Sequence, residues 1–459
     1  MAPPRKSYWA AKDRQAIRTA ISDFGAELRP KMSGDGREED KLRAPTYSLL
    51  ARIGAIFGRD VIVHDEVTLS EAGCRPDFAV DTAGGRAGYI ELKALDKGVP
   101  GHPSWRPTAH DRQQRQRFAA LPNLLYTNGR YWALIRNGEL VGRVAEIAGD
   151  LRHDGARIAP ADEQFEQLLR DFLSWRPATP RSLRQVVAEV APLCRLLRDQ
   201  VAETISFERH TPGKRPLTRL AQEWRTVLFP ALDDDAFADS YAQTVTFALL
   251  LARVDGTDFE DRSVAEIAGQ LTERHSLMGE ALAIVANPRW VSHLTVTEML
   301  RRVIGNIRWD GIQPADGDAY AVLYETFLQE YDPALRRRSG TYYTPDPIAR
   351  AMVRFADQIL KVRHHKKRGL ADDRVTVVDP AMGTGTFLVE VIESVVETMR
   401  REWRSLAVPQ TRLRELLTER LVGFEQQVAP FAVAEMRIHH MLRYRYGSSA
   451  VSVGGLNRM

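Results

Sequence analysis

The sequence predicts a multidomain α/β protein in three sections, and three observations carry that expectation. Residues 1–175 mix short β-rich runs ("DVIVHDEVTL", "PDFAV", "AGYIELKA", "LLYTN", "YWALIRNGEL") with helical segments. Over residues 176–335 the apolar spacing is helical almost throughout, as in "LRQVVAEVAPLCRLLRDQVAETI" and "AYAVLYETFLQEY". Over residues 336–459 strand and glycine-turn alternation returns, most plainly in "VTVVDPAMGTGTFLVEVIESVVETM".

Composition narrows the class. At 459 residues the chain can hold two or three domains, each with its own core. Only two cysteines occur, Cys74 and Cys194, which excludes a disulfide framework or a Cys-rich zinc module and fits a reducing compartment. The start, "MAPPRKSYWAAKDR", lacks the apolar stretch of a secretory leader, and the longest apolar run, "TVTFALLLARV", is too short to span a bilayer. A net charge of +4 permits nucleic-acid binding without arguing for it, because 64 basic and 60 acidic residues mostly describe solvated faces.

In the first section, "RPDFAVDTAGGRAGYIELKA" sets Asp77 at a strand start and Glu91-x-Lys93 on the strand after a Gly-rich hairpin. Side chains alternate along a strand, so Glu91 and Lys93 share one face. Asp77 and Glu91 are hard oxygen donors able to hold Mg²⁺, which lowers the pKa of a bound water, and Lys93 can orient that water. The plain alternative is an exposed strand edge with solvated charges. The connector opens at the Pro-punctuated "WRPATPRS", whose serine can cap the next helix. It reads as a spacer with little chemistry of its own. The basic run "KVRHHKKRG" in the third section reads as a solvated loop.

The third section turns on "DPAMGTGTF". Gly383 and Gly385 let the backbone pass close to a ligand, and the helix behind them offers free N–H groups and a positive dipole end. Asp379, at the carboxyl end of the strand, can accept a bond from an amine or hydroxyl. The stretch lacks the third glycine of a dinucleotide fingerprint and the Gly-Lys-Ser/Thr of a phosphate loop.

These residues resemble the S-adenosylmethionine motif, Asp-Pro-x-x-Gly-x-Gly-x-Phe, of the amino-group DNA methyltransferases. The resemblance implies that Asp379, Pro380, Ala381, Gly383, Gly385 and Phe387 wrap the methionine end of that cofactor. It also implies that Glu425, in "RLVGFEQQ", is the strand-end acid for its ribose. "GTYYTP" resembles the preceding cofactor motif, adding Tyr342, Tyr343, Thr344 and Pro345 as a second wall. That motif order is similar to the γ arrangement of adenine-specific enzymes. "LYETFLQEYDPALRRRSGTYYTP" is similar to the entry segment of restriction enzymes that fuse nuclease and methyltransferase in one polypeptide.

Residues 35–145 in turn resemble the PD-(D/E)xK nuclease fold, which implies catalytic Asp77, Glu91 and Lys93. In such nucleases a helix glutamine often lies near the site, the place taken here by Gln114. Glu39, in "EEDKLRAPTYSLLARIG", is a candidate acid on the first helix, with Glu38 or a plain helix-start charge as alternatives. The expected architecture is therefore a PD-(D/E)xK α/β nuclease core over 1–175, an all-helical connector over 176–335, and over 336–459 the start of a Rossmann-like S-adenosylmethionine-dependent methyltransferase fold with an incomplete sheet. The implied function is restriction–modification of double-stranded DNA in a prokaryotic cytoplasm. It joins adenine-N6 methylation to Mg²⁺-dependent cleavage. No Gly-Lys-Ser/Thr loop occurs, so no helicase motor is expected.

Adenine methylation also needs an Asn/Asp-Pro-Pro-Tyr/Phe turn to hold the extruded base, and the sequence contains none. "NPRW" at Asn287 has Arg289 where the second proline belongs, and it precedes the glycine turn. The expectation is the front portion of a longer enzyme, with a complementing chain supplying the rest and the target-recognition domain. The alternatives are a nuclease carrying a scaffold-only methyltransferase remnant, or a non-catalytic DNA- or cofactor-binding subunit.

Overall fold

A computed structural model describes residues 11–65, 75–213, 215–227, 232–272, 279, 282–284, 286–287, 294–312, 319–332, 344–403 and 410–446. The chain divides into two compact units. One comprises Met1–Ala178, Asp199–Arg219 and Ser292–Arg302; the other comprises Thr179–Arg198, Leu220–Val291 and Val303–Met459.

The first unit is built on a mixed sheet. Helices α1 (Ala11–Met32) and α2 (Glu38–Ile56) lead into β1 (Val61–Asp65), β2 (Phe78–Thr82) and β3 (Gly85–Leu92), an antiparallel meander. Helix α3 (Ala109–Phe118) then crosses over to β4 (Leu124–Thr127), which runs parallel to β3, as a crossover of that length allows. β5 (Tyr131–Arg136) returns antiparallel, and β6 (Glu139–Leu140), β7 (Ala145–Ala148) and β8 (Ala159–Pro160) extend that edge.

Apolar residues at helical spacing on α1 (Ile17, Ile21, Phe24, Leu28) and α2 (Leu42, Leu49, Leu50, Ile53) join one core with Ile90 and Leu92 of β3 and Phe165, Leu169 and Phe172 of α4 (Gln164–Leu173). Each large side chain fully buried there stabilises the unit by roughly 1.5–3 kcal/mol. Ile90 and Leu92 belong to that core face, so strand alternation sends Tyr89 and Glu91 to the other one.

Residues 199–213, 215–219 and 294–302, from the helical stretch, fold with this sheet. The buried Arg75 guanidinium lies 3.1 Å from Glu203 and donates to Thr204 Oγ1 at 2.7 Å, while the Tyr89 hydroxyl donates to the Thr295 carbonyl at 2.9 Å. Glu203 and Thr204 lie on α5 (Leu183–His210), and Thr295 immediately precedes α9 (Val296–Gly305); α5, α6 (Pro216–Val227) and α9 each contribute residues to both units.

The second unit is mainly helical among the described residues. α7 (Asp234–Val254) starts on an Asp233 cap, whose carboxylate accepts the Ala236 N–H at 2.7 Å. α8 (Val264–Thr272) and α10 (Ala319–Tyr331) follow, and Phe247 of α7 meets Phe327 of α10 edge-on at 4.9 Å. Cys194 on α5 is fully buried, and burial pushes its thiol up to about 12.

α11 (Asp346–Val362) begins directly after the Thr-Pro pair, with Pro347 in its first turn, where a missing N–H costs nothing. β9 (Val377–Asp379) pairs in parallel with β10 (Leu421–Gly423), flanked by α12 (Thr386–Trp403), α13 (Gln410–Glu415) and α14 (Val428–Tyr446). Ile348, Met352, Phe355, Ile359 and Val362 form an exposed apolar row along α11. Among the described residues no helix is long and apolar enough to cross a membrane.

Candidate functional sites

In the first unit the expected residues gather where β3 ends. The register Phe78↔Ile90, carried one residue further, sets Asp77 opposite Glu91. The Leu92 N–H donates to Asp77 Oδ2 at 2.8 Å, and Arg43 of α2 pairs with Asp77 Oδ1 and with Asp65. Lys93 Nζ donates to Glu91 Oε1 at 3.0 Å and to Gln114 Oε1 at 2.7 Å, and lies 3.2 Å from Asp111 Oδ1. Glu39 Oε1 accepts the Ala94 N–H at 3.2 Å, and Glu38 Oε2 accepts the Leu95 N–H at 3.1 Å. Both candidate acids of α2 therefore cap the end of this strand. Asp77, Glu91, Lys93, Gln114 and Glu39, the candidates of the sequence reading, lie in one cluster. Arg43 and Asp111 are the members that it missed.

The electrostatics are those of charges crowded out of water. Burial, then Asp77, pushes Glu91 up to about 8 against the pull of Lys93. Burial likewise raises Asp77, with Glu39 adding to it, while Arg43 and the Leu92 N–H oppose. Burial works against the Lys93 charge, yet Glu91 and Asp111 more than offset it and hold the ammonium above its usual range. Asp111 is buried too, but bonds from Thr108 and then Lys93 prevail and bring it to about 2. Tyr126, the register partner of Glu91 on β4, has a buried hydroxyl with no hydrogen-bond partner among the described residues.

The donor chemistry fits a dication. Burial raises both carboxyls, and Asp77 raises Glu91 further, so a cation between them would favour their charged forms. Arg43 now supplies part of that positive charge to Asp77. Among the described residues no group of three or more His, Cys, Asp or Glu is arranged to hold a metal ion. Beside the cluster a cleft of about 380 Å³ is lined by Arg37, Glu38, Glu39, Asp96, Lys97 and Arg152.

In the second unit the turn after β9 is fixed by its backbone. Gly383 (φ +55°) and Gly385 (φ +76°) both take the left-handed conformation that side chains disfavour. The Met382 N–H reaches the Phe424 carbonyl at 2.9 Å, and the Phe424 N–H reaches the Asp379 carbonyl at 2.9 Å, so the turn is strapped to the end of β10. Glu425 accepts the Gly383 N–H at 3.1 Å and the Gln427 N–H at 2.8 Å. Arg437, buried on α14, donates to the Thr384 carbonyl at 2.5 Å and to Thr386 Oγ1 at 2.9 Å.

Asp379 Oδ1 accepts the Ala381 N–H at 3.2 Å. Its Oδ2 is buried without a partner among the described residues, and burial raises the carboxyl. An orphaned acceptor beside an open glycine turn fits an amine- or hydroxyl-bearing ligand. A cleft of about 310 Å³ reaches Asp379, Pro380 and Phe387 from Met352 and Val353 of α11. The Arg350–Glu390 pair, at 3.2 Å, ties α11 to α12. Of the expected cofactor residues, Asp379, Pro380, Ala381, Gly383, Gly385 and Glu425 meet at this turn. Thr344 and Pro345 precede α11, and Tyr342 and Tyr343 lie outside the described residues.

Residues 315–442 match the family model described as N-6 DNA Methylase. The match spans the glycine turn, both strands of the small sheet and Glu425. No curated protein matches the chain. Similar solved structures include a DrdV–DNA complex determined by cryo-EM (22% identity, TM-score 0.41, covering 94% of this chain and 39% of that one). A nuclease-deletion mutant of the Type ISP restriction–modification enzyme LlaGI in complex with a DNA substrate mimic shares 15% identity (TM-score 0.39; 63% of this chain, 22% of that one). The ATP-dependent Type ISP restriction–modification enzyme LlaBIII bound to DNA shares 18% (TM-score 0.37; 59% of this chain, 17% of that one). The chain thus spans well under half the length of each of these proteins.

Proposed function

We propose that the chain is a DNA restriction–modification protein, in which a PD-(D/E)xK-type endonuclease unit precedes an S-adenosylmethionine-binding segment of an adenine-N6 methyltransferase. The observation that carries the nuclease half is the convergence of Asp77, Glu91, Lys93 and Gln114 at one strand end. Asp77 and Glu91 would hold Mg²⁺, which when bound supplies an acidified water and a counter-charge for the scissile phosphate. Lys93 orients that water, and Gln114 holds the ammonium from the helix side. Arg37, Lys97 and Arg152, in the neighbouring cleft, offer contacts to the DNA backbone.

The family match supports the second half. Asp379 accepts the methionine ammonium of the cofactor, the left-handed glycines let the backbone approach it, and Glu425 takes the ribose hydroxyls. Methyl transfer also needs groups that hold the extruded base, and none of the residues at this turn is assigned that role.

The test is nicking of plasmid DNA by the purified chain with Mg²⁺, against Asp77→Ala, Lys93→Ala and excess chelator. Equal cleavage in chelator sinks the two-carboxylate site. In parallel, tritium transfer from labelled cofactor to unmethylated DNA is expected to be nil with these residues alone, and robust incorporation at adenine would show that one of them holds the base.

A further inference from the structure

We propose that Asp111 is a positioning residue of the nuclease unit, which holds Lys93 from the helix side so that Glu91 is free to turn to a divalent cation. The inference rests on the nuclease reading above. An ammonium has three N–H donors. All three of Lys93's are directed at acceptors: Glu91 Oε1 at 3.0 Å, Gln114 Oε1 at 2.7 Å and Asp111 Oδ1 at 3.2 Å. None remains for a water or a phosphate, so one partner must let go before Lys93 can act.

The partners are not equally able to leave. Asp111 is built into a helix cap. Its Oδ2 accepts the Thr108 N–H at 2.9 Å and the Thr108 hydroxyl at 2.7 Å, while Thr108 Oγ1 accepts the Asp111 N–H at 3.1 Å. The Asp111 side chain is 2% exposed. Gln114 sits one turn further along the same helix. Glu91 alone stands on the strand, opposite Asp77, with a cation as the natural alternative partner.

When Glu91 turns away, Asp111 keeps the Lys93 charge paired and leaves one N–H free for the attacking water. Without Asp111, Glu91 becomes the only carboxylate on the ammonium, and Lys93 competes with the metal for it. The Tyr126 hydroxyl beside Glu91, without a hydrogen-bond partner among the described residues, marks a polar position that a water can complete.

The experiment uses the purified full chain: Mg²⁺ titration by calorimetry, alongside nicking kinetics. Asp111→Asn should raise the Mg²⁺ dissociation constant and the half-saturating Mg²⁺ concentration by roughly tenfold. It should also lower kcat with the KM for DNA unchanged, and Asp111→Glu should recover part of both. Two controls isolate the mechanism. Leu134→Ala lowers stability in the same unit without touching Lys93, and Asp96→Asn removes a charge from the neighbouring cleft. If wild type binds no Mg²⁺ and cuts equally well in chelator, the nuclease reading fails and this inference with it. If wild type binds and cuts but Asp111→Asn matches wild type or either control, the inference alone is overturned.

Discussion

Gly383 and Gly385 share a left-handed backbone, yet their surroundings differ, and substituting each with alanine should separate folding from binding. A side chain in that conformation costs roughly 1–2 kcal/mol at either position. At Gly383 an added Cβ meets nothing within 4 Å, so Gly383→Ala should cost about that much and no more. At Gly385 the added Cβ lands 3.0 Å from the Ala434 Cβ and 3.4 Å from its Cα, both on α14. Overpacking of that kind adds roughly 1–3 kcal/mol. Gly385→Ala should therefore cost about 2–5 kcal/mol, and Ala434→Gly should remove only the steric part. Urea unfolding measures both numbers. Under the proposed cofactor reading the ligand approaches the space open at Gly383, so Gly383→Ala should weaken S-adenosylmethionine binding in calorimetry, and Gly383→Trp should abolish it. The reasoning fails if Gly385→Ala costs no more than Gly383→Ala, or if cofactor affinity ignores the tryptophan.

Three further outcomes are expected. Glu91 titrates at about 8 in the folded chain but near 4.3 in an unfolded one, so between those values the folded state holds the extra proton. Stability then falls as pH rises from about 4.3 to about 8; thermal unfolding at pH 5 and pH 8.5 should show the drop, and Glu91→Gln should shrink it. Arg437→Met leaves the Thr384 carbonyl and the Thr386 hydroxyl without their charged donor, costing roughly 1.5–3 kcal/mol in urea unfolding. It should also weaken cofactor binding, whereas a change in stability with no change in affinity would detach Arg437 from the cofactor turn. On α11, Phe355→Asp should reduce self-association in sedimentation velocity without lowering the unfolding midpoint, because Phe355 is 68% exposed in an apolar row.

Much of both sites was legible because it is written in short-range periodicity. Glu91-x-Lys93 follows from alternation on a strand, and strand, glycine turn and helix from three adjacent patterns. The missed residues act at longer range. Thr108-x-x-Asp111 reads as a local helix cap, which it is. Nothing in that spacing says that the remaining oxygen reaches a lysine 18 positions earlier. Arg43 looks like one more charge on an amphipathic helix, and its role depends on how α2 meets the ends of β1 and β2. Arg437 lies 53 residues beyond the carbonyl that it holds. The helical stretch was the least legible part. Its spacing correctly marks buried faces, but whether a face folds with one unit or the other is decided by partners such as Arg75 with Glu203 and Tyr89 with Thr295.

The burial of Cys194 gives the chain an internal clock. Its sulfur sits in the helical packing of the second unit, and its thiol titrates at about 12, so a thiolate-directed reagent finds no target while that packing is closed. In a Cys74→Ser background every labelling event at Cys194 records one opening of the surrounding helices. Where reclosing outruns the reagent, the labelling rate divided by that of an exposed thiol is the equilibrium constant for opening. Cofactor bound at the glycine turn should slow that labelling only to the extent that the helices around Cys194 and the turn open together.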